Sequence, residues 1–478
     1  MKSAVLVIDF GTSNVRAIAF GANDGIVLMS QSKPYSIVSP AAGYSELDPN
    51  KLWDNCCRCV EKVASALEET DYKISAIGCS FMGATLIMLD KAHQPVYNCI
   101  LSFDCRAETE AAYLTGKYPP PTYKLNLESP AAKILYMKKV FPKVFAKASY
   151  FISIQQFILL KLGLLPYWDR TLANCHSFFD CSKDEWDPEI CAEVGISVES
   201  LMGPVMTSDG IAGTITSFGK YKFSAPIPVV IGGHDGDIGM VGCGLVDESQ
   251  SMIGEISGTF DHVGYIKNDN PGIPCVRGSH PGAFPHTSVV MKGFATYGAV
   301  VEWFMREIVG GTSKEHYAEM WSGSSEKFSG GSLKFNPMFT GNSGQIKGLG
   351  ITSTKYDLFC ALIEALTFET RYLTEQIRKE KNGECTIMRV GGGPASSDEW
   401  CRLRADITGL RIERLSNNDI SALGAAILAA NAVGLHNGIE DSLKKMVIPS
   451  KFFEPNPEKH AQYETAYREY IRWAHSEK

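Results

Sequence analysis

Two patterns of apolar and polar positions alternate along the chain: short β-branched runs that stop at glycine and small hydroxyl residues, and longer stretches with apolar residues at helical spacing. Val5-Leu6-Val7-Ile8 is a run of the first kind and is closed by Asp9-Phe10-Gly11-Thr12-Ser13-Asn14. A strand over 15–20 follows, then an Asn23-Asp24-Gly25 turn and a partner strand over 26–29. Leu52, Trp53, Cys56, Val60, Val63, Ala64 and Leu67 share one face and predict a helix over 52–67, ahead of a strand over 74–79. The second half repeats this order. Ile253 to Ser257 ends in Gly258-Thr259, a strand over 260–266 follows, and a helix over 358–377 precedes a strand over 385–390. The repetition predicts an internal duplication and two α/β domains, 1–246 and 247–478, joined near Leu245 to Gln250. Ser322 to Gly331 predicts a loop, and Tyr463, Tyr467, Tyr470 and Ile471 predict a terminal helix over 459–473.

A chain of 478 residues exceeds one ordinary core, which agrees with two domains. Its 45% hydrophobic and 21% charged composition is that of a globular protein, and a net charge of −7 argues against nucleic acid or an anionic membrane as partner. A small-molecule substrate is the better expectation, and a homodimer is left open. Fourteen cysteines without paired spacing, and a start that leads almost directly into the first strand, place the chain in the reducing cytoplasm. Cys56, Cys57 and Cys59 fall on the predicted helix and read as packing, because a zinc site needs separated ligands. Phe157-Ile158-Leu159-Leu160 is too short to span a bilayer.

Three Gly-rich turns carry the candidate chemistry. Asp9 ends the first strand, where a carboxylate either holds a magnesium ion or caps its own turn. Gly11, Thr12, Ser13 and Asn14 supply compact donors for an anion, and Arg16 either adds a positive charge or is a solvated strand residue. Val229-Val230-Ile231-Gly232-Gly233-His234-Asp235 ends in an acid at the opening of a Gly-rich helix. Asp235 there is either a helix cap or the base that deprotonates an attacking hydroxyl, and His234 reads as structural. Gly391-Gly392-Gly393 removes side chains where a flat base or ribose can lie, and the small-residue helix beginning near Ser421 is expected to pack beneath it.

Taken in order, Asp9-Phe10-Gly11-Thr12-Ser13, Gly232-Gly233-His234-Asp235, Ser257-Gly258-Thr259, Gly391-Gly392-Gly393 and Ala422-Leu423-Gly424-Ala425-Ala426 resemble the successive motifs of the FGGY carbohydrate kinases. The resemblance covers nearly the whole chain. It implies an α/β fold of two actin-like ATPase (ribonuclease H-like) domains with a nucleotide and sugar cleft between them, and a phosphotransferase that uses ATP and Mg²⁺. By it, Asp235 takes the position of the catalytic base and Asp9 that of the magnesium-associated acid. Thr12 and Thr259 take the two phosphate turns, with Gly258 in the second, and Gly391, Gly392 and Gly393 lie along the adenosine. Tyr297-Gly298-Ala299 is similar to the family's helix near the ATP phosphates.

On the sugar side, Ser80-Phe81-Met82-Gly83-Ala84-Thr85 stands where many ketose kinases of the family carry Gln-Met-His-Gly and glycerol kinases an Arg-Glu pair. Met82 and Gly83 are thus substrate candidates, without the family's histidine. Asp104 and Arg106 are similar to the family's Asp-x-Arg segment and either bond sugar hydroxyls or pair with each other. Several stretches are most similar to deoxyketose kinases of the L-fuculokinase type. The expected acceptor is therefore a small ketose or deoxyketose. Two alternatives stay open: a family member acting on a polyol or sugar acid, and an actin- or chaperone-like ATPase switch without a small substrate.

Overall fold

The computed structural model describes residues 1–478 except 121–124, 259, 270–279, 326, 340–343, 382–383 and 476–478. The described chain forms two compact units. One comprises Met1–Gly244, Lys267–Val289 and Ser421–Val447, and the other Leu245–Ile266, Val290–Ile420 and Ile448–Lys478.

In the first unit, β1 (Lys2–Phe10), β2 (Asn14–Gly21), β3 (Val27–Pro34), β4 (Tyr72–Phe81), β5 (Ile211–Phe218) and β6 (Tyr221–Val230) form a sheet in the order β5-β6-β4-β1-β2-β3. β1 is antiparallel to β2 and parallel to β4. Ala4 to Ile8 are fully buried, as a strand covered on both faces requires, and this explains the unbroken apolar run. Helix α1 (Pro49–Glu68) starts earlier than its apolar stripe indicates. The Asp48 carboxylate accepts from the backbone N–H groups of Asn50 and Lys51, and Pro49 needs no N–H in the first turn. Its buried face is Leu52, Cys56, Cys59, Val60, Val63, Ala64 and Leu67, so Cys56 and Cys59 are core and the half-buried Cys57 packs against it. In the turn between β2 and β3, Gly25 has φ +61°, and a Cβ there would lie 2.1 Å from the Met446 carbonyl oxygen.

Four helices of this unit matter for the site: α2 (Pro130–Val140), α3 (Ile154–Lys161), α4 (Arg170–Cys175) and α5 (Asp235–Gly242). The helix Ile420–Ala432 supplies the packing beneath α5: a Cβ on Gly424 would lie 2.0 Å from the Ile238 carbonyl oxygen, and one on Gly78 in β4 would lie 2.6 Å from that of Ala425. Its small residues thus bring three backbones together, while its first residue, Ile420, packs against Gly391 of the glycine triplet as expected.

The second unit repeats the sheet. Strands β7 (Met252–Ser257), β8 (Asp261–Asn268), β9 (Thr287–Phe294), β10 (Ile387–Gly392), β11 (Arg411–Leu415) and β12 (Pro449–Phe453) run in the order β9-β8-β7-β10-β11-β12. β7 is antiparallel to β8 and parallel to β10, as β1 is to β2 and β4. Helices α6 (Tyr297–Phe304), α7 (Lys314–Ser324), α8 (Lys355–Glu380), α9 (Asp398–Thr408) and α10 (Pro457–Ala474) complete the layers. Because α7 continues through Ser324, the predicted loop over 322–331 begins with helix, capped at its start by the Ser313 hydroxyl. Arg404 on α9 is fully buried and paired with Glu255 of β7 at 2.9 Å, and it also donates to the Tyr297 hydroxyl at 3.1 Å.

The close approach at Gly424 gives a stability test. Gly424→Ala is expected to lower unfolding stability by about 1–3 kcal/mol through overpacking. Gly116→Ala, at a helical position whose Cβ meets nothing within 4 Å, should be neutral or slightly stabilising. Urea unfolding midpoints of the two variants check this, and equal effects would refute the packing account.

Candidate active site

Asp9 lies at the end of β1 with 2% exposure, and its cross-strand partner is Arg16. Both Nε and a terminal nitrogen of Arg16 donate to Asp9 Oδ2, at 3.0 and 2.6 Å. Arg16 is therefore bound to the acid in front of it and is not simply a solvated strand residue. The chain then turns: Gly11 N–H donates to the Asn14 carbonyl at 3.1 Å, which leaves Thr12 and Ser13 at the tip, Ser13 exposed. The Asp9 carboxylate keeps Oδ1 without a hydrogen bond among the described residues.

The paired glycines before Asp235 answer two contacts. Gly232 has φ +64°, and a Cβ there would lie 1.6 Å from the Cys79 carbonyl oxygen. A Cβ on Gly233 would lie 2.9 Å from both Asp169 Oδ2 and Thr171 Oγ1. Gly233 and His234 then add a short strand segment beside Ser80 and Phe81 of β4. A buried network fixes this turn from below. The Thr171 hydroxyl accepts from His234 N–H at 2.8 Å and donates to the Asp169 carboxylate, whose other oxygen accepts from the Ser208 hydroxyl at 2.5 Å. Gln155 on α3 accepts from Asp169 N–H at 2.8 Å and donates to the Ile231 carbonyl at 3.2 Å. Burial pushes the Asp169 carboxyl up to about 6, against these hydrogen bonds.

Asp235 opens α5 with its side chain 31% exposed, and its Oδ1 accepts from Gly236 N–H at 2.8 Å and lies 3.3 Å from His234 Nε2. No hydrogen bond among the described residues reaches Oδ2. Burial raises the pKa of the Asp235 carboxyl; His234 opposes this, and the charges of Asp9 and Asp237 add to it. His234 is held on its other side by Asp237, Nδ1 to Oδ2 at 2.7 Å. Burial disfavours charge on that ring, but Cys175 and the Asp237 carboxylate outweigh it and raise its pKa well above the ordinary value. Cys175, His234 and Asp237 bring three donor atoms within 4.8 Å of one another. Because the ring spends Nδ1 on Asp237, the group reads as a hydrogen-bonded chain.

Met82 is buried, and its N–H donates to the Phe10 carbonyl at 2.8 Å, so the Met82-Gly83 turn follows directly on the end of β1. Gly83 faces the His234 ring and Cys175. Asp104 and Arg106 form a cluster of their own. Both carboxylate oxygens of Asp104 accept from Arg106, at 2.8 and 2.7 Å, and Glu46 takes a further bond from Arg106 at 2.7 Å. The guanidinium sits 3.9 Å from the centre of the Tyr44 ring. Lys133 on α2 lies buried nearby, donating to the Leu101 and Ser102 carbonyls, and burial lowers its pKa to about 8.

In the second unit a cavity of about 880 Å³ opens between the Gly258 turn, the start of α6 and the segment after β10. Gly258, Gly298, Gly393, Ser397, Trp321 and Phe359 are among its lining residues. Gly298 N–H donates to the Gly258 carbonyl at 3.1 Å, which joins two of the expected phosphate elements. A Cβ on Gly258 or Gly393 would meet nothing within 4 Å, so both glycines leave open space in the cavity wall. Gly391 and Gly392 answer packing instead: a Cβ would lie 1.9 Å from Ile420 Cγ1 at the first and 1.8 Å from the Ser257 carbonyl at the second. Thr259 lies outside the described residues.

The structure thus groups Asp9, Arg16, Gly83, His234 and Asp235 in one unit and Gly258, Gly298 and Gly393 around one cavity in the other. Sequence reasoning missed Asp237, Asp169 and Thr171. Asp237 was accessible, since His234 and Asp237 stand one helical turn apart, whereas Asp169 and Thr171 reach the site only through long-range packing.

The amino-terminal domain model of the FGGY family of carbohydrate kinases matches residues 4–242, and the carboxy-terminal model matches residues 257–433. A xylulose kinase of Staphylococcus epidermidis is 26% identical over 98% of this chain and 96% of its own length. A glycerol kinase of Saccharolobus islandicus is 27% identical over 98% and 97%. Among solved structures, a xylulose kinase from Lactobacillus acidophilus superimposes with a TM-score of 0.85 at 21% identity, covering 99% of this chain and 98% of that one. With both domain models matched in order over most of its length, this chain belongs to the FGGY family of carbohydrate kinases.

Proposed function

We propose that this protein transfers the γ-phosphoryl group of ATP to a hydroxyl of a small ketose, with Asp235 as general base. The observation that carries the reading is the Asp235 carboxylate itself: one oxygen accepts from Gly236 N–H with His234 at ion-pair distance, and the other is left to accept a proton. Burial raises its basicity while the neighbouring imidazole keeps it ionised, which suits a base working near neutrality. In the proposed reaction, Oδ2 takes the hydroxyl proton as the sugar oxygen bonds to phosphorus, and the bond from phosphorus to the bridging oxygen of ADP breaks.

The nucleotide is assigned to the second unit, whose cavity of about 880 Å³ is in the range of cofactor sites. Gly393 borders the adenosine, and Gly258, Gly298 and Thr259 serve the phosphates, with Gly11, Thr12, Ser13 and Asn14 as the second phosphate turn. The residues present fit magnesium, because Asp9 offers a carboxylate oxygen of the hard type that ion prefers while Arg16 occupies the other. When bound, Mg²⁺ offsets phosphate charge. Met82 and Gly83 wall the sugar. The Asp104–Arg106 pair, its hydrogen bonds spent internally, acts by holding the shape of its segment. The segment at Met82 and Gly83 carries neither the Gln-Met-His-Gly of many ketose kinases nor the Arg-Glu pair of glycerol kinases, so the ketose reading rests on the xylulose kinase relatives, and the glycerol kinase relative keeps a polyol as the alternative. A nucleotide switch without a small substrate is not favoured in this family.

Asp235→Asn is expected to lower sugar-dependent ADP release by at least ~100-fold while ATP binding measured by calorimetry persists. Near-normal turnover would remove Asp235 from the role of base. Gly393→Val should raise KM for ATP by about 10-fold or more and leave KM for the sugar unchanged, since the added methyls project into the cavity. Steady-state kinetics with each substrate varied in turn distinguish this from a general loss of folding.

A further inference from the structure

We infer that His234 is the positioning residue that fixes the Asp235 carboxylate, anchored from behind by Asp237 and given its place by the absence of a side chain at Gly83. The inference rests on the reading of Asp235 as base and adds the device that aims it.

His234 stands at the N-cap of α5, yet its side chain makes no capping hydrogen bond, so the ring is not there to satisfy the helix start. The ring bridges two carboxylates instead. Nδ1 meets Asp237 Oδ2 at 2.7 Å and Nε2 lies 3.3 Å from Asp235 Oδ1. Asp237 is fully buried, and its other oxygen lies 3.7 Å from His280 Nδ1, an ion-pair distance without a hydrogen bond. The backbone of His234 is pinned by Thr171, with Asp169 behind it. Oδ1 accepts from Gly236 N–H and lies at ion-pair distance from the ring, which favours the orientation in which Oδ2 is the oxygen left to act.

Gly83 makes the arrangement sterically possible. A Cβ there would lie 2.8 Å from His234 Cδ2, 2.9 Å from Nε2 and 3.1 Å from Cys175 Sγ. Any side chain at this position must displace the ring or the thiol.

The same geometry sets the charge at the base. The ionisable groups around the ring are Asp235 and Asp237 on α5 and Cys175 on α4; Asp9 acts on Asp235 from β1, while Asp169 and His280 act on Asp237. Acids outnumber bases here. A cationic His234 holds the Asp235 pKa down, so the base stays ionised as pH falls. Removing the cation lets the Asp235 pKa rise, and the acid limb of activity moves to higher pH; removing the Asp237 carboxylate weakens the cation but also takes away a charge that raises the Asp235 pKa, so its two effects oppose each other.

The test uses the full-length protein with ATP and D-xylulose as acceptor, following kcat/KM against pH by coupled ADP release. A second arm follows the Asp235 carboxyl by ¹³C NMR titration, assigned through Asp235→Asn, and needs no acceptor. His234→Gln should lower kcat by about 10- to 100-fold with KM for ATP little changed. It should also move both the acid limb and the Asp235 titration up by about one pH unit. Gly83→Ala, which displaces the ring, should move them in the same direction, which keeps the proposal decidable if His234→Gln does not fold. An unmoved limb and titration in folded variants, whatever happens to kcat, would make His234 merely structural and overturn the inference. Undiminished turnover in Asp235→Asn would instead overturn the assignment of the base.

Discussion

Close approach of backbones at the carboxyl end of β4 is the constraint on which the first unit's chemistry depends. The Gly232 turn runs against the Cys79 carbonyl, and the start of α5 is packed through Gly424 against the helix Ile420–Ala432. Each contact excludes even a methyl group. Only with glycine at these positions does the chain leave β6, touch the end of β4, and begin a helix with Asp235 in its first turn. The carboxylate is therefore placed by main-chain geometry, and side chains are needed only to aim it.

Electrostatics supply the aim. Asp9, Asp235 and Asp237 would be a costly collection of acids in a partly dry site, and two cations are distributed among them: Arg16 on Asp9, His234 between the other two. The second unit solves a similar problem below its own glycine turn, where the buried Arg404 pairs with Glu255 and contacts the Tyr297 hydroxyl. That pair also meets the Ser257 hydroxyl, one residue before Gly258.

Much of this was legible in the sequence because it is local. The β1 run, the turn at Gly11, the α1 stripe and the Gly-Gly-His-Asp element each carry their signal within a dozen residues. The duplicated strand order was legible for the same reason, and the matching pairings of β1 and β7 bear it out. What escaped were contacts between distant segments. Nothing near Asp104 and Arg106 announces Glu46, which is 60 residues from Arg106 and absorbs part of its charge. Nothing near Gly391 and Gly392 announces that they answer Ile420 and Ser257, while Gly393 alone faces the cavity. The start of α1 shifted because a cap and a proline, which carry no apolar signal, decide where a helix begins.

The central claim is that Asp235 receives the proton of the acceptor hydroxyl. A crystal structure of the full chain with a non-hydrolysable ATP analogue and a bound ketose tests it most directly. The account predicts the acceptor hydroxyl within about 3 Å of Asp235 Oδ2, with Oδ1 still held by Gly236 and His234. A reacting hydroxyl that instead lies against another acid, with Asp235 turned away from the sugar, would contradict it.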